Sequence, residues 1–307
     1  MAVYPVASGQ PDYSGSFIPE IWAGEFLIKF YSGTCLAQIS NTDYQGDIKQ
    51  KGDTVHINTI PDIASHDYEE GQDLLIDTPD SDPISLYINK GKYFNIAVDD
   101  VAAVQSSYPL LEKFATAATD QQKIAIEREV FADIYNDADA DNSGATAGAE
   151  SGGFDLGTSG SAIAITTVNA TQKLTDLAAV LDEQNVPALD RSVIIPVWYK
   201  NLLQNSDLKN TSLTGDNTSP IRTGLLGEIA GMTVYVSNLL PSVTDTNLCW
   251  YVIALHRKAL SFAAQFVKTR RMESERTFNT LVSSLNVYGY KVTKPDAMAV
   301  LYCYKSA

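Results

Sequence analysis

Polar and apolar residues alternate along GDTVHINTI, residues 52 to 60: Val55, Ile57 and Thr59 fall on one side, His56 and Asn58 on the other. This is the period of a strand with one drier face. A second β-rich stretch, SLYINKGKYFNIAV at 85 to 98, is split by Asn89, Lys90 and Gly91, a composition that predicts a hairpin or bulged turn. The intervening residues 61 to 83 hold eight carboxylates and no Lys or Arg. Strand, acidic excursion and returning strand together predict a long protruding loop.

Elsewhere the period is helical. Ile21, Trp22, Phe26, Leu27, Phe30 and Tyr31 follow Pro19 and Glu20, the pattern of a short amphipathic helix. A longer stripe runs through Val101, Val104, Tyr108, Leu111, Phe114, Ala118, Ile124, Phe131 and Ile134, behind the possible caps Asp99 and Asp100. Pro109 breaks it, so the main helix should occupy 110 to 136 and span about 40 Å at ~1.5 Å per residue. A helix of that length needs a surface to lie along.

Residues 137 to 161, DADADNSGATAGAESGGFDLGTSGS, are small, polar and glycine-rich and mark the clearest boundary. Beyond it the spacing predicts a helix near 170 to 184, a strand and helix in DRSVIIPVWYKNLLQ, a polar loop at 205 to 223, and strands at 232 to 237 and 249 to 256. β-rich runs at 285 to 292 and 298 to 304 close the chain around Lys294, Pro295 and Asp296. The fold class is α+β.

Composition narrows the function. A chain of 307 residues with 45% apolar and 19% charged residues folds with a sizeable core. Its net charge of -15 argues against broad nucleic-acid binding, which relies on clustered Lys and Arg. Three scattered cysteines, Cys35, Cys249 and Cys303, form no disulfide framework and fit a reducing compartment. With no 18-residue apolar run and no basic-then-apolar leader, a soluble chain away from membranes is expected.

Candidate chemistry is sparse. Asp137, Asp139 and Asp141 have the spacing of the first ligands of a calcium loop, but Asn142 stands where the turn glycine belongs and Gly148 where the bidentate Glu belongs. A solvated loop ending the helix is the simpler reading. His56, His66 and His256 lack metal-ligand spacing, and no nucleophile-elbow, P-loop or dinucleotide motif occurs. No catalytic residue, metal site or cofactor is assigned. What does stand out is charge: acidic Asp62, Asp67, Glu69, Glu70 and Asp73 in the excursion, against basic Arg257, Lys268, Arg270, Arg271 and Arg276 in RKALSFAAQFVKTRRMESER, 257 to 276. If the two belong to adjacent copies, their attraction sets register and weakens with salt.

Several stretches, in order, resemble the major capsid proteins of tailed bacteriophages with the Hong Kong 97-type fold. They are FIPEIWAGEFLIKFY before GDTVHINTI, VPALDRSVIIPVWYKNLL, GLLGEIAGMTVYVSNLLP and SERTFNTLVSSLNVYGYKVTKPDAMAVLY. The resemblance implies an N-terminal arm at 1 to 45 and an extended loop at 46 to 98 reaching over a neighbour. It implies a peripheral domain with a spine helix at 99 to 159, an axial domain at 160 to 262, and return strands of the peripheral domain at 263 to 307. Gly224, Gly227 and Gly231 would turn the chain into an axial-domain strand at 232 to 237.

The implied role is a structural one, not an enzyme's: copies form pentamers and hexamers of an icosahedral shell around double-stranded DNA that is enclosed without sequence-specific binding. Partners implied are a portal, a decoration protein and, because no long charged helical leader precedes the arm, a separate scaffolding protein. The place is the virion, after assembly in the bacterial host cytoplasm. A bacterial nanocompartment shell shares the fold, and a calcium-binding or hydrolytic α+β protein is the reading from another class.

Overall fold

The computed structural model describes residues 33–43, 54–58, 63, 65–67, 70–73, 76–78, 83–99, 110–206, 227–274 and 278–306. The helix expected at 18 to 31, the polar loop at 207 to 223, Gly224 and the side chains of Asp62, Glu69 and Arg276 lie outside them.

The long stripe becomes helix α2, Leu110–Ile134, after the short α1, Leu36–Ile39. Helix α2 is described from Leu110, the residue that follows Pro109 in the sequence. Its C-terminal half buries Ile124, Ile126, Val130, Phe131 and Ile134, while residues from Glu112 to Thr119 are half-buried or exposed. Only part of the helix therefore lies on its own chain.

Its surface is a three-stranded antiparallel sheet, ordered β10–β11–β3, with β3 Lys90–Asp99, β10 Leu260–Glu273 and β11 Asn279–Val292. Val282, Ser284 and Tyr288 of β11 alternate toward α2 and are buried. Tyr93, Leu285 and Lys268 are register partners on the opposite face.

The strand expected at 52 to 60 is β1, Thr54–Ile57, and it pairs antiparallel with β2, Ile84–Tyr87. The acidic stretch is thus the connection of a two-stranded ribbon. The turn expected at Asn89 to Gly91 is not a hairpin. β2 pairs with β1, β3 pairs with β11, and Ile88–Asn89 carry the chain from one sheet to the other. Burial explains the switch: Leu86 and Ile88 are buried against Ala263, with Val55, Ile57 and Val287 packed around them, so the ribbon lies on the sheet face away from α2. The close approach is made at Gly289, where a side chain would fall on the Tyr87 carbonyl.

The larger sheet has seven strands: β4 Ile163–Ile165, β12 Met298–Lys305, β9 Leu248–His256, β5 Arg191–Ile195, β7 Met232–Val236 and β6 Glu228–Ile229 in that order, with β8 Ser242–Thr244 on β9. It is mixed, since β4–β12 and β5–β7 are parallel and the remaining pairs antiparallel. β5 is buried at every position, as its apolar run VII suggests. Helices α3, Ala170–Glu183, and α4, Val197–Asn205, join where the Tyr199 hydroxyl donates to the Ala170 carbonyl at 2.8 Å.

Gly231 adopts φ +72° beside Ala230 at +51°, giving the two-residue turn between β6 and β7. The last strand sits between β4 and β9 in this sheet; residues Met298 to Cys303 are buried at both faces.

Two crossings link the sheets, residues 257–259 from β9 to β10 and 293–297 from β11 to β12. They are held together by Thr293 N–H on the Ala259 carbonyl at 2.7 Å. The glycine-rich stretch at 137 to 161 is ordered rather than a free linker. Asn142 is fully buried and donates to the Asp296 carbonyl at 2.6 Å and the Met298 carbonyl at 3.1 Å.

Candidate assembly surfaces

The outer half of the three-stranded sheet carries exposed apolar and cationic side chains on one face. Beyond the area covered by the β1–β2 ribbon, Tyr93 is 77% exposed and Met272 46%, with Leu285 also exposed on the same face. Phe278, at the turn between β10 and β11, is 88% exposed. Tyr93, Phe94, Leu285, Ser283, Lys268 and Arg270 line a depression of about 280 Å³ here. Apolar floor and cationic rim are the anatomy of a contact patch.

The basic residues read from the sequence divide three ways. Lys268 and Arg270 share this face because strand residues two apart do, and Arg271 points to the other. Arg257 sits apart, in the crossing at 257–259, where its Nε donates to the Ser40 carbonyl at 3.4 Å. Of the acidic set, Asp67, Glu70 and Asp73 are described and all are exposed. Ile63 and Ile76 in the same connection are 70% and 88% exposed.

The hydrogen bond there is internal, between His66 Nε2 and Asp77 Oδ2 at 2.8 Å. Among the described residues, the acidic, partly apolar projection and the basic, partly apolar face are not joined by an ion pair.

The inner half of the same sheet is fastened to α2. Glu129 receives Lys92 Nζ at 2.5 Å, Lys90 Nζ at 3.3 Å and the Tyr288 hydroxyl at 3.0 Å, and the Tyr290 hydroxyl donates to Asp133 at 2.9 Å. Burial pushes the Glu129 carboxyl up, but the Lys92, Tyr288 and Lys90 donors outweigh it and hold the group below the ordinary glutamate value. These contacts fix the sheet's angle on the helix, and with it the direction in which the uncovered face points.

The aspartates of the calcium-like stretch have other employment. Asp137 pairs with Lys291 at 3.3 Å, and Asp139 Oδ1 accepts the Asp141 N–H at 2.9 Å to cap a short 3-10 turn. Among the described residues no three His, Cys, Asp or Glu side chains gather to hold a metal ion. Cys35, Cys249 and Cys303 are free and buried. No helix of the described residues is long and apolar enough to cross a membrane.

A profile of the family described as phage capsid protein matches residues 84–302, most of the chain. The chain belongs to the phage capsid protein family. Solved structures give this capsid protein its fold, the Hong Kong 97-type. A chain from Mycobacterium phage Che8 superimposes with a TM-score of 0.75 at 24% identity, over 93% of this chain and 97% of that one. The capsid of cyanophage P-SCSP1u gives 0.74 at 17%, over 94% and 93%. The capsid of a native GTA particle gives 0.69 at 14%, over 95% and 97%. No curated protein matches the sequence.

The family match favours a structural phage capsid protein over the nanocompartment shell and the calcium-binding reading. Sequence reasoning missed β10's neighbours in this site. Tyr93, Met272 and Leu285 were signalled only by apolar residues at period two on the face that β1–β2 leaves bare, and that needs the register of three strands to see.

Proposed function

We propose that copies of this chain form the icosahedral shell of a tailed phage around its double-stranded DNA, and that neighbouring copies meet through the two surfaces each chain leaves apart. The acidic excursion of one copy, with Asp67, Glu70, Asp73 and the undescribed Asp62 and Glu69, lies across the outer half of the next copy's sheet. There Lys268 and Arg270 receive its carboxylates and Tyr93 and Leu285 receive its isoleucines. Arg271 and Arg276 extend the basic edge. Pairing of opposite potentials sets register and on-rate, while the apolar contacts supply affinity.

Repeated around five-fold and six-fold axes, the same contact builds pentamers and hexamers. The role is structural rather than enzymatic. A net charge of -15 keeps the genome from adhering to the shell without sequence-specific binding. A separate scaffolding protein, a portal and a decoration protein complete the set of partners, and assembly takes place in the host cytoplasm before the protein is found in the virion.

The observation that carries this reading is the exposure of Tyr93 and Leu285 beside Lys268 and Arg270, which among the described residues form no ion pair with Asp67, Glu70 or Asp73. The triple variant K268E/R270E/R271E tests it. The isolated subunit should unfold at the wild-type denaturant midpoint, because all three side chains are exposed. Its threshold concentration for assembly, read by light scattering, should rise roughly tenfold or more, since like charges face each other. Combining it with D67K/E70K/D73K in one chain, so that every copy carries both reversed surfaces, should restore assembly. Unchanged assembly of the triple variant would contradict the proposed contact.

A further inference from the structure

The middle of α2 buries a carboxylate that the assembly surfaces do not use. Glu127 is 1% exposed. Its Oε2 accepts the Cys35 N–H at 2.8 Å and the Leu36 N–H at 3.0 Å, and its Oε1 lies 3.6 Å from the Cys35 thiol. The Ser237 hydroxyl, just past β7, completes its polar surroundings. One side chain thus joins three parts of the chain far apart in sequence.

From Glu127 the residues 33–41 run as a strap through α1 to the start of β10. There the Asn41 N–H donates to the Leu260 carbonyl at 2.8 Å and the Asn41 carbonyl accepts from the Phe262 N–H at 2.9 Å. Arg257 Nε holds the Ser40 carbonyl nearby. The strap is held at both ends, with Leu36 and Ile39 buried between, and among the described residues the polar contact at the spine end is the Glu127 carboxylate.

Among the described residues no Lys, Arg or His forms an ion pair with Glu127. From the strap it faces Cys35, whose thiol burial and the Glu127 charge keep protonated. From the turn after β7 it faces Ser237, which does not titrate, and along α2 its neighbour Glu129 is taken up by Lys92 and Lys90. Arg128 points outward and is exposed.

Burial disfavours the ionised form, and the two N–H groups favour it only in part, so Glu127 titrates above the ordinary glutamate value. Opening the strap hydrates the carboxylate, a gain that a protonated carboxyl largely lacks.

We propose that the 33–41 strap is a proton-set latch on the spine helix: it opens more readily with Glu127 ionised and stays shut with Glu127 protonated. Because the closed state binds the proton more tightly than the open one, closure is strongest below the open-state value and weakens as pH rises to the closed-state value.

Cys35 reports on the latch, since it sits in the strap and is buried when the strap is shut. The experiment is maleimide labelling of the full chain as purified subunit, with the rate at each cysteine read by peptide mass mapping. Wild type is compared with Glu127→Gln, which keeps an acceptor oxygen and loses the charge, and with Glu127→Ala, which loses both. At about pH 7.5 Cys35 of the Gln variant should react more slowly than wild type, by roughly tenfold for each pH unit by which burial lifts Glu127.

Toward pH 5 the gap between the two rates should narrow, and it should close below the ordinary glutamate value of 4.5, as Glu127 is protonated in the open state as well. The Ala variant should react faster at both. Cys249 and Cys303, 1% and 0% exposed, should stay unlabelled and so report an intact fold. Equal rates for wild type and Gln at every pH, or a faster rate for Gln, would overturn the latch. Should a variant also label Cys249 and Cys303, the wild-type profile decides: corrected against a free thiol, it rises with pH if the latch exists and is flat if it does not.

Discussion

Gly289 has no side chain because the Tyr87 carbonyl occupies the place one would take. That contact lets the β1–β2 ribbon lie flat on the sheet, so Gly289→Ala forces the ribbon off or the strand aside. We expect a loss of about 1–3 kcal/mol in chemical denaturation, the usual cost of overpacking. Gly91→Ala in β3 is the control. A methyl there meets only ordinary van der Waals neighbours, and the change should be neutral or slightly stabilising. Equal losses for both would show that the ribbon does not depend on the close approach.

Glycines of this kind are not legible in a sequence, since nothing near Gly289 signals that another strand crosses it. Asn142 was half legible: its misfit to a calcium loop is visible, but its bonds to the Asp296 and Met298 carbonyls depend on a partner more than 150 residues away. Glu127 left a trace too, as a lone carboxylate on the stripe formed by Ile124, Phe131 and Ile134.

At the scale of elements, the spine helix, the strand–helix pair at 191 to 205 and the strands β7, β9 and β12 stand where period and punctuation put them, while the short strands β4, β6 and β8 left no such signal. Local pattern decides these. The break at Ile88–Asn89 and the place of β12 do not follow from local pattern, because pairing is chosen by burial against partners remote in the chain.

The fastening of α2 to its sheet has a pH signature. Glu129 is held below the ordinary value of 4.5, so its contribution is present above that value and is lost as pH falls through the lower folded one. The Glu129→Gln variant should therefore lose stability at neutral pH and show a flatter fall below about pH 4.5 than wild type, followed by circular dichroism across an acid titration. A Gln variant with an acid limb as steep as wild type would place the acid-sensitive contact elsewhere. Glu129 is about a third exposed, so the effect is modest.

For the whole molecule, the outer halves of α2 and of the three-stranded sheet extend beyond the chain's own packing, and the acidic connection of β1–β2 extends with them. Such parts gain apolar contacts and partners on another copy, so apparent stability should rise with assembly. The family was legible in the order of soft patterns. The contact surfaces were legible only as two charge runs, because which side chains share a face is set by strand register.

The most direct measurement is cryo-electron microscopy of the full chain assembled with a scaffolding protein. Closed icosahedral shells are expected, in which density for residues 65–78 of one copy crosses Lys268 and Arg270 of its neighbour. Small discrete oligomers under every assembly condition, or shells whose acidic connection rests on its own subunit, would contradict the proposed assembly.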